Sequence, residues 1–165
     1  MKRLLAVIML TALAGCSFAK LSIVEYNNRI VTVLNEISDD IQLSVEQYDA
    51  QIPTTVNEKS EIDPAPMETV LGEMRTHSSE LENLTQLQSK DESQQTAVAD
   101  ALSKYTQANA AYVQAYEGTV NYYANKGYQE DVEQVKVVDE TLHKTYNDLV
   151  EAHNHLVEVL NSYIQ

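Results

Sequence analysis

Glycine, proline and cysteine are scarce in this sequence, and tryptophan is absent. The 165 residues include four glycines, three prolines, one phenylalanine and a single cysteine, Cys16. So little glycine and proline excludes a turn-rich β-sandwich, a glycine-cradled phosphate site and a collagenous segment. One cysteine cannot form a disulfide within the chain. At this length a single domain is expected, and 44% apolar residues are enough to bury a core.

Basic residues are also few. Eleven Lys and Arg stand against 25 Asp and Glu, which gives a formal charge of −14. Nucleic acids select for clustered Lys and Arg because their phosphates are negative. The charge balance therefore excludes nucleic acid as the expected partner.

The first 16 residues have the pattern of an export signal. A basic start, Met1-Lys-Arg, precedes an apolar run from Leu4 to Leu10 and then a stretch of small residues up to Cys16. The apolar run is too short to span a bilayer, which favours a secretory signal peptide over a membrane helix.

The end of this segment, Leu13-Ala14-Gly15-Cys16, resembles the lipobox of bacterial lipoproteins. The resemblance implies that residues 1–15 are cleaved and that Cys16 carries a diacylglyceryl group and an N-acyl chain, with residues 16–20 as a lipidated tether. No other cofactor is implied. Ser17 in place of Asp implies sorting to the outer membrane, facing the periplasm. Several acyl chains hold a protein to a membrane stably.

The predicted lipid is the expected means of membrane attachment, because the protein surface is acidic. Cleavage removes Lys2 and Arg3 and no acid, so the charge falls from −14 to −16. Anionic headgroups repel such a surface within a Debye length of about 8 Å.

After the tether, apolar residues recur three and four positions apart, which predicts helices throughout residues 21–165. No stretch alternates with the period of a strand, so the expected fold is an all-α antiparallel bundle, one domain with a proline-containing linker at 53–66. Gly127 is predicted to stop the third helix in the left-handed conformation. The four apolar stripes cover residues 21–51, 67–87, 98–123 and 132–163.

The number of helices depends on the polar stretch around Lys90. A turn there gives four helices, which is the favoured prediction. Without it, residues 67–126 would form one helix about 90 Å long in a three-helix arrangement. Such a helix would overhang its partners and expose its apolar stripe.

Tyrosine is the unusual component of the expected bundle. Four tyrosines share one face of the third helix: Tyr105, Tyr112, Tyr116 and Tyr123. They predict either a tyrosine-rich core whose hydroxyls reach the rim or a partly open aromatic groove for a small ligand or a partner helix. With these four, the candidate contact residues of such a groove are Tyr128, Asp131 and His143.

The second half resembles the uncharacterised helical YiiG-like lipoprotein family. The resemblance rests on the run from Tyr122-Tyr123 through Lys126 and Tyr128 to Asp131, followed by Leu142-His143. The family's opening helix is also matched by Tyr26-Asn27, Ile30, Asn35 and Tyr48. It covers about half of the mature chain. It implies a helical fold and an envelope location but no reaction.

The sequence contains no complete catalytic or metal-binding motif. Glu140-Thr-Leu-His143 has the Glu-x-x-His spacing of di-metal bundles, but a second such pair is missing. Nucleophile elbows, phosphate loops and EF-hand loops are also missing. The leading hypothesis is a non-enzymatic, lipid-anchored envelope protein with a binding or structural role and an envelope protein as partner. The alternative is a metal- or small-ligand-binding lipoprotein that uses the bundle interior.

Overall fold

Four long helices and one short helix make up the protein in a computed structural model that describes residues 20–163. The predicted signal peptide, Cys16 and most of the predicted tether lie outside these residues. The described part is an all-α bundle, as predicted, and no helix in it is long and apolar enough to cross a membrane. The helices are α1 (Ile23–Gln51), α2 (Ala65–Leu84), α3 (Glu92–Ala124), α4 (Gly127–Glu130) and α5 (Glu133–Asn161).

The helix ends follow from local side-chain chemistry. Ser22 and Glu25 form a reciprocal capping box at the start of α1, each satisfying a backbone N–H of the other. α1 ends at Gln51, and Pro53 follows its C-cap residue Ile52. Pro64 and Pro66 stand at the start of α2, where a missing N–H costs nothing. The segment between these helices is residues 52–64, close to the predicted linker.

The polar stretch around Lys90 is a turn, so the three-helix alternative is wrong. Asp91 caps α3 by accepting a hydrogen bond from the Gln94 backbone N–H at 2.8 Å. Inside the turn, Gln94 accepts a hydrogen bond from the Ser89 hydroxyl and donates to Asn27 of α1 at 2.8 Å. The buried polar groups of this segment thus bond to one another, which stabilises the chain reversal.

Contacts at the two ends show that the helices run antiparallel. At one end, Leu21 exchanges backbone hydrogen bonds with the α2–α3 turn, and Tyr163 lies against Ser93. At the other end, the Tyr128 hydroxyl donates to the Ser60 carbonyl of the α1–α2 linker at 3.0 Å. The linker and α4 therefore close the end of the bundle opposite to the N-terminal segment.

The prediction for Gly127 is wrong, because the left-handed residue is Lys126, with φ 56° and ψ 34°. Gly127 has an ordinary φ and begins α4. Its role is close packing: a Cβ on Gly127 would lie 2.5 Å from ring carbons of Tyr122. A glycine is needed here because of a neighbouring ring, and a sequence pattern cannot show that.

α3 lies at the centre of the bundle, packed against both α2 and α5. Four of its five tyrosines are buried together with apolar side chains from all four long helices, and Tyr122 is partly buried. The backbones of α1 and α5 do not approach each other as closely as the packed pairs α1–α2, α2–α3 and α3–α5. The bundle is therefore partly open along the seam between α1 and α5.

Candidate functional site

A cleft of about 380 Å³ opens along this seam. We call it the α1–α5 cleft. Three helices contribute to it: α1 and α5 form its sides, and Tyr112 of α3 reaches its floor from the bundle interior. The cleft is lined by Ser44, Val45, Tyr48, Asp49, Tyr112, Asp139, Leu142, His143 and Tyr146.

The floor of the cleft is set by a buried hydroxyl pair. The Tyr112 and Ser44 hydroxyls are 2.7 Å apart, and the Ser44 hydroxyl also donates to the Ile41 carbonyl. Ser44 has one proton to give, so Tyr112 donates to Ser44. Burial raises the pKa of Tyr112 to about 12. Near neutral pH this phenol is therefore protonated and fixed.

One hydrogen bond bridges the two sides. The Tyr48 hydroxyl on α1 donates to Oδ1 of Asp139 on α5. Burial is the main reason why the pKa of Tyr48 is raised, and the hydrogen bond to Asp139 raises it further. Because the neutral phenol donates to the carboxylate, this pair joins the helices where their backbones are apart.

Asp139 also acts beyond its bonded partner. The pKa of Tyr123 is raised to about 12, mainly by burial and secondly by the charge of Asp139. The hydroxyl of Tyr48 lies near that of Tyr123 and influences its pKa. Among the described residues, however, no group reaches the Tyr123 hydroxyl with hydrogen-bond geometry. Burial is the larger of these two causes, and the carboxylate adds to it because a nearby negative charge disfavours the ionised phenol.

Aromatic rings form a corner of the cleft. The Tyr112 and Tyr146 rings have centroids 6.1 Å apart and planes at 60° to each other. Tyr146 and Tyr48 are partly exposed, whereas Tyr112 is buried at 1% exposure. The cleft therefore presents two accessible phenol rings above a fixed one.

The structure separates the residues that the sequence grouped as candidate contacts. Tyr112 and His143 line the cleft, and His143 is exposed. Three other tyrosines of α3 lie in the core, and their buried hydroxyls have no hydrogen-bond partner within residues 20–163: Tyr105, Tyr116 and Tyr123. Their hydroxyls do not reach the rim.

The two remaining candidates lie at the end of the bundle, away from the cleft. Tyr128 is buried and bonds to Ser60. Asp131 accepts hydrogen bonds from the backbone N–H groups of Glu133 and Gln134 at the start of α5, and its carbonyl accepts one from the Tyr122 hydroxyl. These contacts hold the α3–α5 connection in place.

Seven lining residues were missed from the sequence as candidates: Ser44, Val45, Tyr48, Asp49, Asp139, Leu142 and Tyr146. Asp139, His143 and Tyr146 recur at helical spacing on α5, so the sequence did carry a signal that they share a face. Nothing in the sequence indicated that this face borders an open seam.

A second polar group lies deeper in the bundle. Asp40, 5% exposed, is 2.7 Å from Nδ1 of His77. Burial raises the pKa of Asp40, and the hydrogen bond to Asp40 raises the pKa of His77. On the other side, His153 packs edge-on against Tyr105 with ring centroids 5.7 Å apart. The first pair joins α1 to α2, and the second joins α3 to α5.

Metal ligands do not come together in the described part of the chain. Within residues 20–163, His, Cys, Asp and Glu form no group of three that could hold a metal ion. Glu140 forms an exposed ion pair with Lys136 at 3.6 Å, and His143 faces the cleft. The two residues of the Glu-x-x-His pair therefore have different neighbours: Glu140 pairs with a lysine, and His143 lines the cleft.

The fold and the site define a class: an antiparallel helical bundle with a small aromatic and acidic cleft between its first and last long helices. Comparison with protein-family models, with curated proteins and with solved structures finds no match to this chain. The similarity to YiiG-like lipoproteins stays a prediction from the sequence.

Proposed function

We propose that this chain is a non-enzymatic, lipid-anchored protein of the bacterial envelope that acts by binding a small ligand in the α1–α5 cleft. The observation that carries the proposal is the cleft itself. Tyr112, Tyr146 and Leu142 provide apolar surface there, and Asp139 and His143 provide polar groups. Ligand sites combine an apolar lining with a few placed polar groups in this way, and about 380 Å³ lies within their usual size range.

A binding role fits the chemistry of the cleft better than a catalytic one. The phenols of Tyr48 and Tyr112 have raised pKa values and already donate to fixed acceptors. Nucleophilic catalysis needs a group that a neighbouring base can deprotonate. A protonated phenol held against a carboxylate or a serine hydroxyl provides hydrogen bonding and shape.

The anchor is supported by the sequence. Leu13-Ala14-Gly15-Cys16 matches a lipobox after a signal-like segment, and Ser17 favours the outer membrane with the protein facing the periplasm. α1 begins at Ile23, seven residues after Cys16. A short tether of this kind would hold the N-terminal end of the bundle close to the lipid surface.

The binding role is tested by filling the cleft. Val45 lines the cleft, so Val45→Trp would occupy its space. Val24→Trp is the matched control, because Val24 is on the same helix, is 66% exposed and does not line the cleft. Native mass spectrometry of full-chain protein purified from membranes should show a bound small molecule in the parent and in Val24→Trp but not in Val45→Trp.

Two results would contradict the proposal. One is a parent protein that carries no small molecule in repeated preparations. The other is equal occupancy in both tryptophan variants. The anchor has its own test: Cys16→Ala should release the protein from membranes or leave the precursor uncleaved, and unchanged membrane fractionation would refute lipidation.

A further inference from the structure

The charges around the α1–α5 cleft are not balanced. Asp49 and Asp139 contribute carboxylates to the lining, and none of the described lining residues is lysine or arginine. The nearby lysines of α5 are engaged on its outer face: Lys144 pairs with Asp148 at 2.6 Å, and Lys136 pairs with Glu140. A ligand that enters the cleft therefore meets net negative charge.

Asp139 has acceptor capacity left for such a ligand. Its Oδ1 accepts from Tyr48, whereas its Oδ2 takes part in none of the hydrogen bonds or ion pairs of the described residues. The residue is only partly buried, so this oxygen can be reached from the cleft. A carboxylate held by one phenol and open on its other side is a suitable hydrogen-bond acceptor for a positively charged N–H group. For a quaternary ammonium, which has no N–H to donate, it is a suitable opposite charge.

The aromatic corner favours the same kind of ligand. The faces of phenol rings attract cations through their quadrupoles, and the attraction is stronger where the cation is desolvated. Tyr112 and Tyr146 meet at 60°, and Tyr48 stands on the opposite helix beside Asp139. Three tyrosines and a carboxylate around one small volume are the elements of an ammonium-binding cage.

The charge of the whole protein adds to this local preference. With 25 acidic residues against 11 basic ones, the surface field concentrates cations near the chain. A calcium ion, by contrast, takes about six to eight oxygen ligands, most of them carboxylates and carbonyls of the protein in a dedicated site. The described residues do not assemble such a group, but the apolar surface of Val45 and Leu142 can receive the carbon body of an organic cation.

We infer that the α1–α5 cleft binds a small organic ammonium ion, with its charged nitrogen between Asp139 and the tyrosine rings and its apolar body against Val45 and Leu142. This inference rests on the proposed function, because it names the ligand class of the same cleft. The cleft volume of about 380 Å³ limits the ligand to the small end of the range.

Choline and its uncharged isostere, in which a quaternary carbon replaces the nitrogen, separate charge from shape. Both are titrated into full-chain protein in a maltoside detergent, which carries no ammonium group, and binding is followed by calorimetry. Choline should bind about tenfold more tightly than the isostere, which corresponds to about 1.4 kcal/mol. Equal affinity for the two compounds would overturn the inference.

Two substitutions on adjacent residues locate the effect. Asp139→Asn removes the charge but keeps an acceptor for the Tyr48 hydroxyl, and it should weaken choline binding about tenfold while leaving the isostere unchanged. Glu140→Gln removes an equal charge from the exposed face of the same helix and should change choline binding less than about twofold. Circular dichroism confirms that both variants keep their helices.

The outcomes distinguish the inference from the proposed function. If the isostere binds as tightly as choline and Val45→Trp blocks both compounds, the cleft is a ligand site but not an ammonium site. If Asp139→Asn and Glu140→Gln weaken choline equally, the attraction is a general effect of the acidic surface and the inference fails. Calcium chloride at matched ionic strength is the further control, and displacement of choline by calcium beyond a salt effect would also refute it.

Discussion

Leu149→Ala tests whether α5 packs through the apolar stripe that the sequence indicated. Leu149 is on the buried face of α5 and has 0% exposure. The substitution removes three carbon atoms, whose transfer out of water is worth about 0.8 kcal/mol each, or roughly 2.4 kcal/mol. The cavity that remains adds to this cost, and Leu→Ala changes in cores span about 2–5 kcal/mol.

The surroundings of Leu149 place the expected loss in the lower half of that range. A small cleft of about 120 Å³ lies beside it, bordered by Ser38, Ile41, Val150 and His153. Neighbouring side chains can move into part of the new space, because one side is not closed. We therefore expect a loss of about 3 kcal/mol in the free energy of unfolding. At about 2–4 °C per kcal/mol for a chain of this size, the midpoint should fall by roughly 6–12 °C.

Urea and thermal unfolding followed by the helical circular dichroism signal measure this loss. Val150→Ala is the matched control, since Val150 is the next residue, borders the same small cleft and is 38% exposed. It should cost less than about 1 kcal/mol. If Leu149→Ala costs no more than Val150→Ala, then the buried face of α5 is misassigned and the α3–α5 packing fails with it.

The remaining predictions concern pH and close packing. The pKa of His77 is raised in the fold, mainly by its hydrogen bond to Asp40. The contribution of His77 to stability is therefore present below pH 6.5 and is lost as pH rises through the raised value. Urea titrations of His77→Gln should show that this dependence of the unfolding free energy on pH is removed. Burial lowers the pKa of His153, so its contribution has the opposite sign and stability is lost as pH falls below 6.5. The unfolding free energy of His153→Leu should therefore depend less on pH below 6.5. An unchanged pH dependence would mean that His153 is not buried. Gly127→Ala should cost about 1 kcal/mol, because the Tyr122 ring must move and lose its hydrogen bond, and the cost should vanish in a Tyr122→Leu background.

The helices could be predicted because their causes are local. Apolar spacing, Pro53 after α1 and Asp91 before α3 each act within a few residues, and the sequence shows them directly. The reversal at residues 85–91 could be favoured because a single helix over 67–126 would have left its stripe unpacked. Gly127 was assigned the wrong role, because its constraint comes from the Tyr122 ring and not from its own backbone angle.

The candidate site could be predicted only in part because it depends on the distance between two helices that are far apart in sequence. The α3 tyrosines were correctly placed on one face, but which of them reaches an opening is decided by α1 and α5. Tyr112 reaches the cleft, whereas Tyr105 and Tyr116 are enclosed. The pairing of Tyr48 with Asp139 spans 91 residues, and no spacing rule applies across that separation.

The bonds between Leu21 and the α2–α3 turn have a mechanical consequence for a tethered protein. The Leu21 N–H donates to the Gln88 carbonyl at 2.7 Å, and the Lys90 N–H donates to the Leu21 carbonyl at 2.8 Å. If the proposed lipid anchor holds the N-terminal segment, a pull transmitted through that segment meets these two bonds before it reaches the first turn of α1. The load is then shared among α1, α2 and α3. For α1 to fray from its N-terminal end, the two backbone hydrogen bonds of Leu21 must break first.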